Sequence, residues 1–522
     1  MEYCILSAGV GSRFKPFSSF ANKALVPFPL KPIISQIIDR IPKNSKINIA
    51  TGYLGEDLKE ILCEIHKDRE IKFFENKNYL TTGMGDSLME MIDSIESDFV
   101  ILPNDGIYHD DFYNINTHAD VLLGISDNFL NPDEYLNLSV SSSSFITSVK
   151  RGDIVFYDKS SKSDTQYIFT GYMYVKDKDL YKNYLTLYNQ DEREIYFPLK
   201  DYLINKYNVS TKYFNWTDCG TYKKYKNELN KIVDYDFSKE EETLLIYPSQ
   251  KVYKIFKDRN VAIKRIQKAS FFPSAFPKCN KLPSDRGYSY NYTEGETLYD
   301  QPTKHKLKIL LDFLKNNLWS LEKLEFDISS DSSLFYKDKT KKRLSLLGEK
   351  YNLNKIKYIN SKPIINDFII PPLDYDSFIN KAFTSPIHGD LQYDNVLINK
   401  EDITLIDWRH EFGNSVKFGD IYYDLAKLLG GIILNYKRIK KGDFDASLSS
   451  DGKNIQFKYV KDIYAYDHQQ ILYSFHYSHG FDIDNTRKLL SLIYLNMAPL
   501  HEPPFDLLLL ALSNITFWSN ES

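Results

Sequence analysis

Residues 3–7 form a short apolar run that ends at once in the turn Ala8-Gly9-Val10-Gly11-Ser12-Arg13. A strand that feeds a glycine turn has to be followed by something that covers the sheet it starts. The next two hundred or so residues fit that demand. Residues 47–51, 71–74 and 99–102 read as short strands, and 55–66 and 86–95 have helical spacing. Such alternation predicts a sheet covered by helices. The polar stretches 141–144 and 158–164 read as turns or loops.

The chain has 522 residues, too many for one ordinary core. A charged stretch, 222–242, reads as a helix plus a connection, and a second pattern opens near Thr243. Residues 244–247 and 252–256 are strand-like, 260–272 is helical, and 288–292 is strand-like again. From about Lys304 the pattern is mostly helical, broken by a strand–loop–strand at 387–407. The polar patch 329–342 reads as a surface loop. Two domains are expected, 1–235 and 243–522, without an internal repeat.

Charge excludes some partners. Lys and Arg number 66 against 70 Asp and Glu, so no bulk charge recruits nucleic acid or an acidic membrane. The four cysteines, Cys4, Cys63, Cys219 and Cys279, have neither metal-ligand spacing nor a disulfide framework. The N-terminal segment lacks the basic and long apolar regions of a secretory signal. The longest apolar stretches, 425–434 and 507–512, are short of the ~20 residues that a spanning helix needs and read as buried core helices. No membrane insertion and a cytoplasmic location are therefore expected.

The turn after the first strand is part of a longer phrase, Leu6-Ser-Ala-Gly-Val-Gly-Ser-Arg-Phe-Lys-Pro-Phe17, followed by Lys23-Ala-Leu-Val-Pro27. A glycine turn lets backbone N–H groups approach a triphosphate closely. Arg13 can grip phosphate oxygens with a forked guanidinium, and Lys23 adds a point charge. The phrase resembles the G-x-G-x-R-x-x-P…K-x-x-x-P signature of the sugar-1-phosphate nucleotidyltransferases, with Asn22 where that family has Pro. Gly83-Met-Gly-Asp-Ser87-Leu88, Asp105 in Pro-Asn-Asp-Gly, and Trp216-Thr-Asp218-Cys-Gly-Thr221 resemble further family segments in the same order. The resemblance implies an α/β Rossmann-like nucleotidyltransferase domain. It makes Ala8, Gly9, Gly11, Ser12, Gly83 and Ser87 nucleotide-binding, Asp105 and Asp218 the Mg²⁺ ligands, and Arg13 and Lys23 catalytic. Phe169-Thr-Gly171-Tyr-Met-Tyr174 resembles the glycine-bearing strand that lines the sugar site. Lys159 is the candidate for the lysine that meets the sugar phosphate, although the usual Glu-Lys-Pro is not written around it.

The second half holds Ile387-His-Gly-Asp390-Leu-Gln-Tyr-Asp-Asn395-Val-Leu397, then Leu405-Ile-Asp407-Trp408. A kinase catalytic loop is written H-R-D-x-x-x-x-N, with a metal-binding aspartate on a later strand. Gly389 replaces the arginine, but Asp390 and Asn395 keep the spacing. The pattern resembles the aminoglycoside phosphotransferase and choline kinase family. That implies an α+β protein-kinase-like domain in which Asp390 accepts a hydroxyl proton, while Asn395 and Asp407 hold Mg²⁺ on ATP. Asp424 is expected to brace the catalytic loop. Lys254 on the strand 252–256 is the expected ATP lysine, and no glutamate stands on 260–272 to pair with it. Residues 290–295 fit the hinge behind adenine.

The two resemblances complement each other, since one activity makes a phosphomonoester and the other consumes one. Together they imply a bifunctional enzyme using Mg²⁺, ATP and a second nucleotide (CTP, GTP or UTP). It would make a nucleotide-linked precursor of a surface polysaccharide, by analogy with bacterial fusions that supply capsules and lipopolysaccharides. The W-x-D-x-G-T form favours a sugar phosphate. A phosphocholine or alditol cytidylyltransferase with a choline-kinase-like domain stays open. So does an active nucleotidyltransferase with a non-catalytic kinase-like module. The nucleobase, the alcohol and the oligomeric state are not legible.

Overall fold

The computed structural model describes residues 1–112, 118–127, 134–142, 145–188, 193–232, 241–247 and 250–519. Part of the expected turn at 141–144 and most of the connection at 233–240 lie outside the described residues. The chain divides into two compact units. The first comprises Met1–Arg259 and Lys281–Ser289, the second Asn260–Asn280 and Tyr290–Ser522.

The first unit is α/β. Its strands β1 (Glu2–Leu6), β2 (Lys46–Thr51), β3 (Ile71–Glu75) and β4 (Phe99–Pro103) run parallel in the order β3-β2-β1-β4. Beyond β4 the direction reverses, because β5 (Gly106–Tyr108) leaves the sheet and Thr165–Val175 pairs antiparallel with β4. Successive side chains of a strand face opposite sides, so each strand feeds two cores. Tyr3 and Ile5 of β1 join Ile34, Ile37, Ile38 and Ile61 on one side. Cys4 and Leu6 join Leu88, Met91 and Ile92 on the other. Helices Ile33–Arg40 and Gly55–Ile65 therefore cover one face and Met84–Ile92 the other. Burial on both faces explains why β1 and β4 read as continuous apolar runs. The hairpin Glu242–Tyr247 and Lys251–Phe256 also feeds the first core, through Leu245, Tyr247, Tyr253 and Ile255.

The second unit is mainly helical. Helix Ile421–Ile433 packs on Ile483–Met497, which packs on Phe505–Trp518. The first and third contain the long apolar stretches of the sequence, and both are buried on nearly every side. The Asp420 carboxylate starts the first of them by accepting from Tyr422 N at 3.1 Å. Among the described residues no helix is long and apolar enough to cross a membrane.

Two sequence expectations are corrected here. The patch 329–342 is helical, not a loop: Ser329–Ser332, a π-helical turn Ser333–Asp338, then Lys339–Lys350. Its polar composition hides Phe335 and Tyr336, which are buried with their rings 4.5 and 5.5 Å from the ring of Phe412. Tertiary packing thus overrides a weak local preference. The stretch after Lys304 also contains a hairpin, Phe444–Leu448 with Asn454–Tyr459, that the helical reading missed. Gly452, at φ 70°, turns the chain between its strands.

Candidate active sites

In the first unit β1 delivers the glycine turn to the edge of a cavity. Ser7 N donates to Ala50 O at 3.0 Å and Tyr53 N donates to Ala8 O at 2.9 Å, which ties the exit of β1 to that of β2. Gly11 has φ 66°, and a Cβ there would lie 3.2 Å from Lys23 Cβ. Glycine supplies both the left-handed backbone and the space for Lys23 to pass. Asn22 has a clear local task. Its Nδ2 donates to Ser7 O at 3.2 Å and Tyr53 O at 2.7 Å, and its Oδ1 accepts from Ala24 N at 2.9 Å. A proline could make none of these bonds, so the departure replaces a rigid ring by a hydrogen-bonded brace.

The two expected metal-binding carboxylates come together through a short ladder. Gly106–Tyr108 pairs antiparallel with Trp216–Asp218, Asp218 lying opposite Gly106, and Cys219 N donates to Asp105 O at 3.0 Å. A Cβ on Gly220 would lie 2.9 Å from Asp218 Oδ1 and 3.4 Å from Asp105 Oδ2, so both carboxylates reach one point. Lys23 Nζ donates to Asp105 Oδ2 at 2.7 Å and Gly220 O at 2.9 Å. Burial pushes the Asp105 carboxyl upward, but Lys23 and Arg13 outweigh it and hold the group below the ordinary aspartate value. Asp218 accepts from Lys224 Nζ at 2.8 Å and from the Tyr135 hydroxyl. Burial works against the charge of Lys224, yet bonds to Asp218, Glu134 and Tyr135 raise its pKa. A methyl group at Gly220 would press on both carboxylates. Gly220→Ala is therefore expected to lower nucleotidyl transfer about tenfold to a hundredfold, measured as pyrophosphate release, with little change in melting temperature.

A cavity of about 570 Å³ opens over this pair. Ala8, Gly9, Ser12 and Arg13 line one part, with Gly83 and Ser87 from the start of helix Met84–Ile92. Gly83 needs its small size, because a Cβ there would meet Arg193 O at 2.3 Å. Gly171, at φ 88°, lines the cavity from a bulged stretch of Thr165–Val175, with Pro103 against it. Lys159 is exposed, its ammonium 5.5 Å from the Tyr157 ring, and it is not among the lining residues. Arg151 does line the cavity, its Nη1 donating to Tyr196 OH at 2.8 Å, and so does Lys224. Sequence reasoning missed both cations. Lys224 could have been found six residues after Asp218, in the first turn of helix Tyr222–Leu229; Arg151 carries no local signal.

In the second unit the expected catalytic loop is pinned by a buried carboxylate. Asp424 accepts from His388 N at 2.7 Å, Gly389 N at 2.8 Å and Trp319 Nε1 at 3.1 Å. Gly389 has φ 84°, and a Cβ there would lie 2.7 Å from Arg409 Cβ. Arg409 itself donates Nε to Gly389 O at 3.1 Å. Asp390 pairs with Lys427 at 2.7 Å. Burial raises the Asp390 carboxyl, but Lys427 and Arg409 overcome that and keep it ionised. Asn395 donates Nδ2 to Asp390 O at 2.8 Å, and its own carbonyl accepts from Ile406 N at 3.0 Å. Asp407, at φ 58°, pairs with Arg265 at 2.7 Å. Asp390 and Asn395 are thus directly linked, and one backbone bond carries the link to the residue before Asp407. Lys254 is buried on Lys251–Phe256, within the first compact unit.

His388 is fully buried, accepts from Asp390 N at Nδ1 and donates from Nε2 to Ile406 O, so it is the neutral tautomer. Burial lowers its pKa to about 4. An unfolded histidine binds a proton below about pH 6.5, while the folded one resists until about pH 4. Stability present at pH 7 is therefore lost as pH falls through that window, by about 3 kcal/mol from this group. Asp420 has the opposite sign over the same window, so the comparison is with His388→Gln: in denaturant titrations at pH 7 and 4.5 the parent protein should lose more stability than the variant, by about that amount.

Residues 3–128 match the family model described as Nucleotidyl transferase, and the first unit carries such a domain. The bifunctional protein GlmU of Methanococcus maripaludis is 32% identical over 112 residues, 21% of this chain and 26% of that protein. The GlmU of Methanocaldococcus jannaschii is 28% identical over 113 residues, again 21% and 26%. The chain thus spans about a quarter of the length of the curated relatives it matches. Among solved structures, the CTP:phosphocholine cytidylyltransferase of Streptococcus pneumoniae has a TM-score of 0.35 at 17% identity, covering 44% of this chain and 98% of its own. The inositol-1-phosphate CTP transferase of T. maritima has a TM-score of 0.34 at 16% identity, covering 44% and 94%.

Proposed function

We propose that the first unit transfers a nucleotidyl group from an NTP to a small phosphomonoester. The convergence of Asp105 and Asp218 on one point beside Lys23, within a cavity lined by the glycine turn, carries this reading. A phosphomonoester oxygen attacks the α-phosphorus, the new P–O bond forms, and pyrophosphate leaves with the electrons of the broken α–β bridge. Ser12 and the turn N–H groups hold the triphosphate, with Arg13 spreading its charge over the oxygens. Arg151 and Lys224 are the cations that face the cavity where the phosphomonoester would sit. The two carboxylates are hard oxygen donors and fit Mg²⁺, although no group of three or more acidic, His or Cys side chains converges among the described residues. Held by Asp105 and Asp218, Mg²⁺ would neutralise phosphate charge.

The second unit is read as an ATP-dependent phosphotransferase of the protein-kinase type. The carboxylate of Asp390 would take the proton of an alcohol whose oxygen attacks the γ-phosphorus, and ADP leaves. Asn395 and Asp407 are the residues that would hold Mg²⁺ there. The phosphomonoester made in the second unit would feed the first, and covalent linkage raises its local concentration. The product would be a nucleotide-linked precursor of a surface polysaccharide, made in the cytoplasm. The first half of this reading is tested by pyrophosphate release from CTP, GTP, UTP and dTTP against sugar 1-phosphates, phosphocholine and alditol phosphates. Release with one nucleotide–phosphate pair is expected. Release with none would remove the nucleotidyl-transfer reading.

A further inference from the structure

Asp390 is surrounded by more positive charge than a proton acceptor requires. Lys427 is accounted for, because it pairs with Asp390 at 2.7 Å. Lys339 and Arg343 project from helix Lys339–Lys350, four residues apart and hence on one face. Lys339 Nζ sits 4.0 Å from the Phe335 ring centroid, and the guanidinium carbon of Arg409 lies 5.2 Å from the same centroid. One aromatic ring thus serves as a platform for two cations. Arg409 also reaches Gly389 O, one residue before Asp390. Arg343 donates Nη1 to Asn496 O at 2.7 Å.

None of these three cations makes an ion pair with a carboxylate among the described residues. The nearby acids are each paired elsewhere: Asp390 to Lys427, Asp407 to Arg265, and Asp420 to Tyr336 OH at 2.8 Å and to two backbone N–H groups. Burial raises the Asp420 pKa to about 7, so it offsets only part of the charge. Burial, then the neighbouring Arg409 and Arg343, pushes Lys339 well below the ordinary lysine value. Crowding three cations near a single carboxylate that is already paired with Lys427 is costly unless a further anion joins them. The π-helical turn Ser333–Asp338, which carries Phe335 and leads into Lys339, is a distortion often found at functional sites.

Resting on the phosphotransferase reading above, we propose that the alcohol phosphorylated at Asp390 carries an oxyanion, a carboxylate or a phosphate, bound by Lys339, Arg343 and Arg409. A cationic alcohol such as choline meets repulsion here. The phosphates of ATP are the other source of oxyanion, and the two sources are separable by kinetics.

The full chain is assayed with Mg²⁺ and γ-labelled ATP against glycerate, gluconate and glycerol 3-phosphate, and against glycerol, glucose, choline and ethanolamine. A hydroxylated anion should show at least a tenfold higher kcat/KM than the neutral and cationic alcohols. Lys339→Met and Arg343→Gln should each raise KM for that anion at least tenfold and leave KM for ATP within twofold. Equal or better turnover of a neutral or cationic alcohol would overturn the proposal. So would a rise in KM for ATP alone, which would assign the cations to the nucleotide. A separate titration of glycerate and inorganic phosphate without nucleotide should weaken at least tenfold in Lys339→Met, and unchanged binding would overturn the anion site itself. Weakened binding with no ATP turnover on any alcohol would instead overturn the phosphotransfer reading, and with it the assignment of the acceptor.

Discussion

Asp390→Asn is expected to lower phosphate transfer from ATP by about a thousandfold while nucleotidyl transfer from a supplied phosphomonoester stays within twofold. Asparagine keeps the size of the side chain and loses the oxygen that can take a proton. It also leaves Lys427, a buried cation paired at 2.7 Å, without its carboxylate. Some stability should therefore be lost, and a melting curve separates that loss from the catalytic one. The first unit contains its own two cores, so its activity should survive the change. A parallel fall of both activities in a folded protein would contradict independent sites.

The second large effect is expected at the other pair of carboxylates. Asp105→Asn removes the carboxylate paired with Lys23, and Asp218→Asn removes one of the two carboxylates paired with Lys224, the other being Glu134. Either change should lower nucleotidyl transfer by about a thousandfold and leave phosphate transfer from ATP untouched. Asp105 is expected to be the more sensitive of the two. It is a quarter exposed, faces the cavity, and lies under the field of both Lys23 and Arg13. Pyrophosphate release under saturating nucleotide measures the effect. A loss below tenfold at both positions would mean that these carboxylates are structural.

Much of this was legible because the chemistry sits on contiguous phrases. The glycine turn, Asp105 and Asp218 each stand at the end of a short strand, where a motif and a structural position coincide. The loop from His388 to Asn395 is a contiguous phrase too, and Asp424 holds it at His388 N and Gly389 N, where the resemblance led one to expect a brace. The unread parts depend on contacts that sequence distance conceals. Arg151 enters the cavity from the end of Ile146–Arg151, and its Tyr196 partner is 45 residues away. The helical turn at 333–338 was hidden because Ser-rich composition outweighed two aromatic residues whose burial depends on Phe412 and Tyr423. The hairpin at 444–459 was missed because it alternates buried and exposed residues only in part.

The most direct test of the two-step account is mass spectrometry of the purified full chain incubated with Mg²⁺, ATP, CTP, GTP, UTP and dTTP. A panel of sugars, hydroxy acids, alditols, choline and ethanolamine supplies the acceptors. The account predicts that one acceptor first gains the mass of a phosphoryl group and then that of a nucleotidyl group, with pyrophosphate released in step with the second gain. Contradiction would take the form of an acceptor panel unchanged in mass, with supplied phosphomonoesters likewise failing to gain a nucleotide.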